Sequence, residues 1–490
     1  MEFAPLLAHD SETPLYRQLY EQLALQIRSG KLHRGDRLPA TRELAGLLGL
    51  NRTTVSAAYE ILESEGLIAG QVGRGSFVTG SKAPGTKVDW SGLLDRGEAA
   101  GPASSSGFGK EVVSFVMSRP SRDLFPLDEF RASCQAVLAR ADLGDILQLG
   151  SPYGYEPLRR YLLEEARAQH LAGPGDDLLI TNGCQQALDL LGRILLRPGD
   201  TVAVEDPIYT GLKSLLTGMG AQLAGIPVGS DGMDLSNLTR VLERERPRMI
   251  VVTSNFQNPT GATLPLATRR GVLEAARAAG VPVIENDAYG ELRYTGEPIP
   301  AIKQLDESGG TVLLRSFSKV SFPGLRVGWA LGPKPLIDRL RQAKEASDLH
   351  TDQLSQAVLM EFAESGRLEN HRARVREEGG RRLAATLAAC AEYLPPGTRW
   401  TRPEGGMNLW VRLPEPLDAG ELLPRAQKEG VSYLPGRYFA VSRLDPGALR
   451  LSFAGLPPDQ IRSGLAVLGR LIADELEGAL RSQEPAPAMV

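Results

Sequence analysis

Five short apolar runs constrain this chain more than any other feature. They read "DLLITNG", "TVAVEDP", "RMIVVTSN", "VPVIEND" and "TVLLRSFS", and helical patterns alternate with them. A short apolar run bounded by turn residues is a strand buried on both faces, and strands joined through helices lie parallel. The region from residue 112 to about 482 is therefore expected to be an α/β domain on a mostly parallel sheet covered on both sides.

That domain does not use the whole chain. At 490 residues the protein exceeds an ordinary single domain, so at least two folded units are expected. Residues 12–80 supply the second. They read as a helix around 15–29, a helix around 41–48, a turn at Gly49-Leu50-Asn51, and a helix from Arg52 to about Ser64. A β-hairpin follows in "QVGRGSFVTG", with Gly73 and Gly75 in its turn and Phe77 and Val78 opening the return strand. Residues 81–111, dominated by Gly, Ser, Ala and Pro, read as a flexible linker, and "QEPAPAMV" at 483–490 as a disordered tail.

A formal net charge of −4 excludes a uniformly basic molecule, so any nucleic-acid contact must come from a local cluster. The three cysteines, Cys134, Cys184 and Cys390, are too widely spaced for a disulfide framework or a metal motif, so no metal is expected. The N-terminus lacks the basic segment and long apolar run of a signal peptide, and no apolar run approaches about 18 residues. A cytoplasmic protein without a membrane span is the expectation.

The basic cluster lies in the N-terminal domain. Asn51 suits the cap of the third helix, which puts Arg52, Thr53 and Thr54 on its first turn, where a recognition helix meets base edges. Arg42 opens the preceding helix within reach of phosphate, and Arg74 at the wing tip faces the neighbouring backbone or minor groove. Lys31, Arg34 and Arg37 complete the cluster. Taken alone, such residues describe a solvated face equally well. In order, "LPATRELA", "NRTTVSAAYEILESEGL" and "GRGSFV" resemble the winged helix-turn-helix of the GntR family of bacterial transcription factors over residues 14–78. That resemblance implies DNA contacts from Arg42, Asn51, Arg52, Thr53, Thr54, Gly73 and Arg74, made by a dimer on paired half-sites.

In the large domain, Lys319 of "RSFSKVSFPGLRVG" is a candidate amine for a phosphate-bearing aldehyde. "TNGCQQALDLL" puts the amides of Cys184 and Gln185 at a helix N-terminus that favours phosphate, and Ser316 and Arg326 can complete the cup. Tyr209 in "EDPIYTG" can stack on a flat ring. Asn258 and Tyr289 can share a ring oxygen, and the planar fork of Arg450 suits an α-carboxylate. Singly, each has a plain structural reading as core packing or an ion pair. In this order and spacing they resemble the fold-type I, class I/II aminotransferases that bind pyridoxal 5'-phosphate, over residues 112–480. The resemblance implies a smaller C-terminal α/β subdomain and an aldimine at Lys319.

Two positions depart from that pattern. The family pairs the pyridine nitrogen with the acid of Asp-x-x-Tyr, but Asn286 stands three residues before Tyr289. A neutral amide stabilises a pyridinium poorly, so efficient transamination is not expected. Asp287 is the alternative partner if the strand ends or bulges there; otherwise adjacent strand residues face opposite sides. Leu149 stands where relatives carry a tyrosine that reaches the neighbouring subunit's cofactor, with Tyr153 nearby as a substitute.

A winged helix joined through a linker to an aminotransferase-like domain resembles the MocR subfamily of GntR regulators. The resemblance implies a head-to-tail homodimer that binds promoter DNA and responds to pyridoxal phosphate, with or without an amino-acid or amine effector. The alternative is a working aminotransferase for aromatic or 2-aminoadipate-like substrates with an accessory DNA-binding domain.

Overall fold

The computed structural model describes residues 7–8, 13–71, 75–79, 113–229 and 232–483. The chain divides into two compact units, Met1–Glu98 and Ala99–Val490. The expected linker 81–111, and all but Gln483 of the expected tail, lie outside the described residues.

The first unit contains α1 (Leu15–Arg28), α2 (Thr41–Leu48), α3 (Arg52–Ser64) and the antiparallel pair β1 (Ile68–Gln71) and β2 (Gly75–Val78). Helix α1 forms because Leu19, Leu23, Ala24 and Ile27 recur on one face, and all four are buried. Gly49 closes α2 in the left-handed conformation (φ 64°) and Asn51 caps α3 by accepting from the Thr53 amide at 3.4 Å. The return strand starts at Gly75, two residues before the expected Phe77, because Gly75 already pairs with Gln71. The Tyr59 hydroxyl of α3 donates to the Pro39 carbonyl at 2.9 Å, fixing the turn that leads into α2.

The second unit opens with β3 (Val113–Ser114). Its large sheet is built from β4 (Asp176–Thr181), β5 (Thr201–Asp206), β6 (Gln222–Gly229), β7 (Gly232–Met233), β8 (Met249–Val252), β9 (Val283–Asn286), β10 (Thr311–Ser316) and β11 (Gly328–Pro333). Among the described residues the order is β4-β11-β10-β9-β8-β5-β6-β7. Strands β6, β5, β8, β9 and β10 run parallel, as their fully apolar faces require. Strand β11 is antiparallel to both neighbours, because the connection over residues 317–327 is too short for a crossover. A second, antiparallel sheet joins β12 (Arg399–Trp400), β13 (Asn408–Arg412), β16 (Ala448–Ser452) and β15 (Leu434–Pro435), and is covered by helices Ala419–Lys428 and Pro458–Gln483. The short β14 (Val431–Ser432) pairs in parallel with β3. Among the described residues no helix is long and apolar enough to cross a membrane, and no cluster of His, Cys, Asp or Glu is placed to hold a metal ion.

One core carboxyl makes this fold sensitive to pH. Glu205 on β5 is 3% exposed; its Oε2 accepts from the Thr253 amide at 3.1 Å and its Oε1 has no partner. Burial pushes this carboxyl up to about 8, against the pull of Thr253 and Gln257. The folded protein thus keeps a proton that the unfolded chain releases. The contribution is full below about pH 4.3 and is lost as pH rises toward about 8. Urea midpoints should therefore fall over that range, and Glu205→Gln should flatten the fall; an unchanged slope in the variant contradicts a protonated Glu205.

Candidate functional site

The parallel strands all end on the same edge, and their C-terminal ends surround a cavity of about 390 Å³. Strand β10 delivers Ser316, and the connection to β11 carries Ser318, Lys319 and Arg326 into the cavity wall. Register draws this connection against the turn after β4, since Gly328 pairs with both Ser316 and Thr181. A Cβ on Gly328 would lie 2.8 Å from the Gly183 Cα, so only glycine permits the approach.

The turn at Gly183 (φ 81°) opens helix Cys184–Leu195, and Cys184 and Gln185 line the cavity. A Cβ on Gly183 would stand 2.5 Å from the Arg326 guanidinium, which leaves a small cationic cradle at a helix N-terminus. Arg326 is held there by donating to the Asn182 carbonyl at 3.0 Å and to the Ser318 hydroxyl at 3.1 Å. The Ser316 hydroxyl donates to the Val327 carbonyl at 3.1 Å and accepts from the Ser318 amide at 3.0 Å. Burial pushes the Cys184 thiol up to about 12 despite the Lys319 charge, so no thiolate competes with an anion here.

Behind the cradle stands a group the sequence did not single out. Asp348 accepts from the side-chain amides of Asn182 at 2.8 Å and Gln186 at 2.5 Å, and it pairs with the fully buried Lys344 at 2.8 Å. Asp348 therefore positions the turn that leads into the Cys184 and Gln185 amides. Asp348→Asn should raise the dissociation constant for pyridoxal phosphate roughly tenfold, the effect of a weakened charged hydrogen bond. Fluorescence titration with pyridoxal phosphate measures this, and unaltered affinity would show that the network does not set the turn.

The floor of the cavity separates the two adjacent candidates. Asn286, the last residue of β9, is on the cavity wall, and its Oδ1 is buried without a hydrogen-bond partner. Asp287 is not on that wall, which corrects its inclusion among the candidates. It points the opposite way, accepting from Asn255 at 2.8 Å and pairing with Arg315 at 2.8 Å. Asn255 in turn accepts from the buried Arg269 at 2.6 Å, so Asp287 belongs to a buried network under the site.

Around Lys319 the polar groups form one chain. Its Nζ donates to the Ser118 carbonyl at 2.6 Å and lies 5.3 Å from the Tyr289 ring centre. The Asn258 amide donates to the Tyr289 oxygen at 3.3 Å and accepts from Arg450 at 3.1 Å. Burial acts to raise the Tyr289 phenol, but the Lys319 and Arg450 charges with hydrogen bonds from Ser118 and Asn258 outweigh it and hold it below its usual value. Arg450 is 4% exposed, and burial lowers it to about 10, so it stays charged at neutral pH. Tyr209 completes the wall beside Arg450, partly exposed.

All candidates of the large domain except Asp287 thus line one cavity. Sequence reasoning missed Ser318, whose place directly before Lys319 was the available signal, and the segment Val116–Ser118, for which no local signal exists. Leu149 is 72% exposed, away from the cavity. The Tyr153 hydroxyl donates to Asp338 at 2.5 Å. In the first unit Arg42, Asn51, Arg52 and Thr53 are exposed and Thr54 is half-buried; Gly73 and Arg74 lie outside the described residues.

Comparison with known proteins matches each unit separately and the chain as a whole. The aminotransferase class I and II family matches residues 126–468, and the gntR family of bacterial regulatory proteins matches residues 15–78. The aromatic-amino-acid aminotransferase 1 of Thermococcus litoralis is 34% identical over 75% of this chain and 89% of its own. The "Probable rhizopine catabolism regulatory protein MocR" of Rhizobium meliloti is 32% identical over 97% of both chains. Among solved structures, LysN, the alpha-aminoadipate aminotransferase of Thermus thermophilus complexed with N-(5'-phosphopyridoxyl)-L-leucine, is 35% identical with a TM-score of 0.73, covering 80% of this chain and 100% of its own.

Proposed function

The chain belongs to the MocR subfamily of GntR-family regulators, a GntR-type DNA-binding domain fused to a class I and II aminotransferase domain, and from that premise we propose a transcriptional regulator whose large domain senses pyridoxal phosphate, an amino compound, or both through Lys319. Pyridoxal 5'-phosphate is the cofactor of the large domain. The residues present fit it: the Gly183 cradle suits its phosphate, and the Asn286 side-chain amide, whose Oδ1 is buried without a partner, can face its ring nitrogen. When bound, the cofactor supplies an aldehyde and an electron-withdrawing ring.

The protein's own groups then have distinct tasks. Cys184 and Gln185 amides, Ser316, Ser318 and Arg326 hold the phosphate; Tyr209 covers the ring; Lys319 presents the amine. Tyr289, with its lowered affinity for a proton, and Asn258 hold the ring oxygen. Arg450 takes an effector carboxylate. Asn286 carries the choice of function, because a neutral amide at the ring nitrogen favours binding over turnover. The competing reading, an aminotransferase for aromatic or 2-aminoadipate-like substrates, is favoured by the complete Lys319, Tyr289 and Arg450 set and by the activities named for relatives.

Exposed Leu147, Leu149 and Leu349 suit self-association, and we take the assembly to be a head-to-tail homodimer in the cytoplasm, bound to promoter DNA. The purified chain should retain pyridoxal phosphate through gel filtration, shift a fragment of its own upstream DNA, and turn over amino acids negligibly. Rapid multiple-turnover conversion of an amino acid and a keto acid would sink the sensor reading. Arg52→Ala should weaken operator binding by roughly 1–3 kcal/mol and relax sequence preference, whereas Arg42→Ala should weaken all sequences alike and reduce the salt slope by about one. Identical behaviour of the two variants would remove the assigned recognition roles.

A further inference from the structure

Two of the three cations that line the cavity, Lys319 and Arg450, are engaged by one short piece of main chain. Residues 113–118 enter as β3, with the Val113 amide on the Gly430 carbonyl and the Phe115 amide on the Ser432 carbonyl, each at 2.8 Å. Phe115 is fully buried, and its carbonyl accepts from the Ser452 amide at 2.9 Å, which anchors the piece to β16 beside Arg450. Beyond that anchor, the Val116 carbonyl accepts from Arg450 Nη2 and the Ser118 carbonyl accepts from Lys319 Nζ at 2.6 Å. In the chain this piece follows the stretch that leads from the DNA-binding unit.

We propose that residues 113–118 are a two-point latch that reports occupancy of the cavity along the chain to the DNA-binding unit. This deepens the sensor reading and rests on it. The argument is competition for donors. Arg450 has spent Nη1 on Asn258 and Nη2 on Val116, while its Nε is buried with no partner. A carboxylate binds a guanidinium through two adjacent N–H groups, so the open Nε draws it to the Nε–Nη2 edge, where it competes with the Val116 carbonyl for Nη2. At the other point, Nζ of Lys319 cannot serve an aldehyde ligand and hold the Ser118 carbonyl at once. The cofactor therefore acts on one point and the amino compound on the other, and both loosen the same segment. A freed carbonyl leaves the strand pairing with Gly430 and Ser432 as the remaining hold.

Hydrogen exchange of the full-length chain over residues 113–119 tests this with two probes. Pyridoxal phosphate addresses Lys319, and N-(5'-phosphopyridoxyl)-L-leucine, which has no aldehyde, addresses Arg450 through its carboxylate. Each should speed exchange by about tenfold, the weight of one charged hydrogen bond. Arg450→Met should raise exchange without any probe, abolish the response to the leucine adduct, and keep the response to pyridoxal phosphate. A chain lengthened by about ten Gly and Ser residues between Ser105 and Ser106 should keep both exchange responses while its operator binding no longer responds to the probes. Exchange that is unchanged or slowed by both probes overturns the latch, and a lengthened chain that still switches DNA binding overturns its route. A wild-type chain that retains no pyridoxal phosphate fails at the sensor reading itself, which the exchange of the free protein distinguishes from a failed latch.

Discussion

Lys319→Ala is expected to lose pyridoxal phosphate on gel filtration while the wild-type chain keeps it. The remaining groups, the Gly183 cradle with Ser316, Ser318 and Arg326 and the ring-facing Tyr209, Asn258, Asn286 and Tyr289, can hold the cofactor only without a covalent bond. Removing the amine forfeits covalent attachment in a preformed site, and the dissociation constant should rise by at least about two orders of magnitude. Operator binding in the absence of ligand should persist, because Arg42 and Arg52 belong to a separate compact unit with its own core of Leu19, Leu23, Leu44, Val55 and Leu62. What should vanish is any change of operator binding on adding pyridoxal phosphate. A variant that stays yellow after gel filtration, or still responds, would mean that another amine does the work.

The second large effect concerns turnover. Asn286→Asp should accelerate single-turnover conversion of an amino acid by roughly 10²–10³-fold, the scale of one preorganised charge placed in a water-poor site. The side chain is already aimed: Asn286 is on the cavity wall, and its Oδ1 has no other partner to lose. The control is Asp287→Asn, which should leave turnover nearly unaltered and instead destabilise the fold by roughly 3 kcal/mol, because Arg315 loses its buried partner. Stopped-flow absorbance and urea denaturation separate the two. If Asp287→Asn slows conversion more than Asn286→Asp speeds it, the acid that serves the ring nitrogen is Asp287 and the sensor reading loses its main physical support.

Much of the local structure was legible residue by residue. Helices α2 and α3 fall at Thr41–Leu48 and Arg52–Ser64, as Gly49 and the Asn51 cap require, since both signals act within a turn of the helix end. Four of the five apolar runs became the parallel strands β5, β8, β9 and β10 for an equally local reason, burial on both faces, while the first became β4, paired antiparallel with β11. Most of the cavity residues read from the sequence sit beside a strand end, marked by Gly183, Asn258, Tyr289 or Lys319, whereas Arg450 lies within β16. What escaped is long-range. Strand β11 and its place in the sheet depend on which neighbours accept it, and besides β10, the strand before it, its partner is β4, far earlier in the chain.

The sequence alone determined the units, the strand and helix periods, and the chemical groups available: an amine, a carboxylate-binding arginine, a neutral amide where an acid is usual, and a basic recognition helix. Tertiary structure alone decided which groups share a wall. It turned Asn286 inward and committed Asp287 to Arg315 and Asn255, set Asp348 behind Asn182, and laid the carbonyls of Val116 and Ser118 on Arg450 and Lys319. The physical reason is range. Propensity and capping are settled among residues a few positions apart, whereas these contacts join residues far apart in the chain and exist only once the sheets have closed.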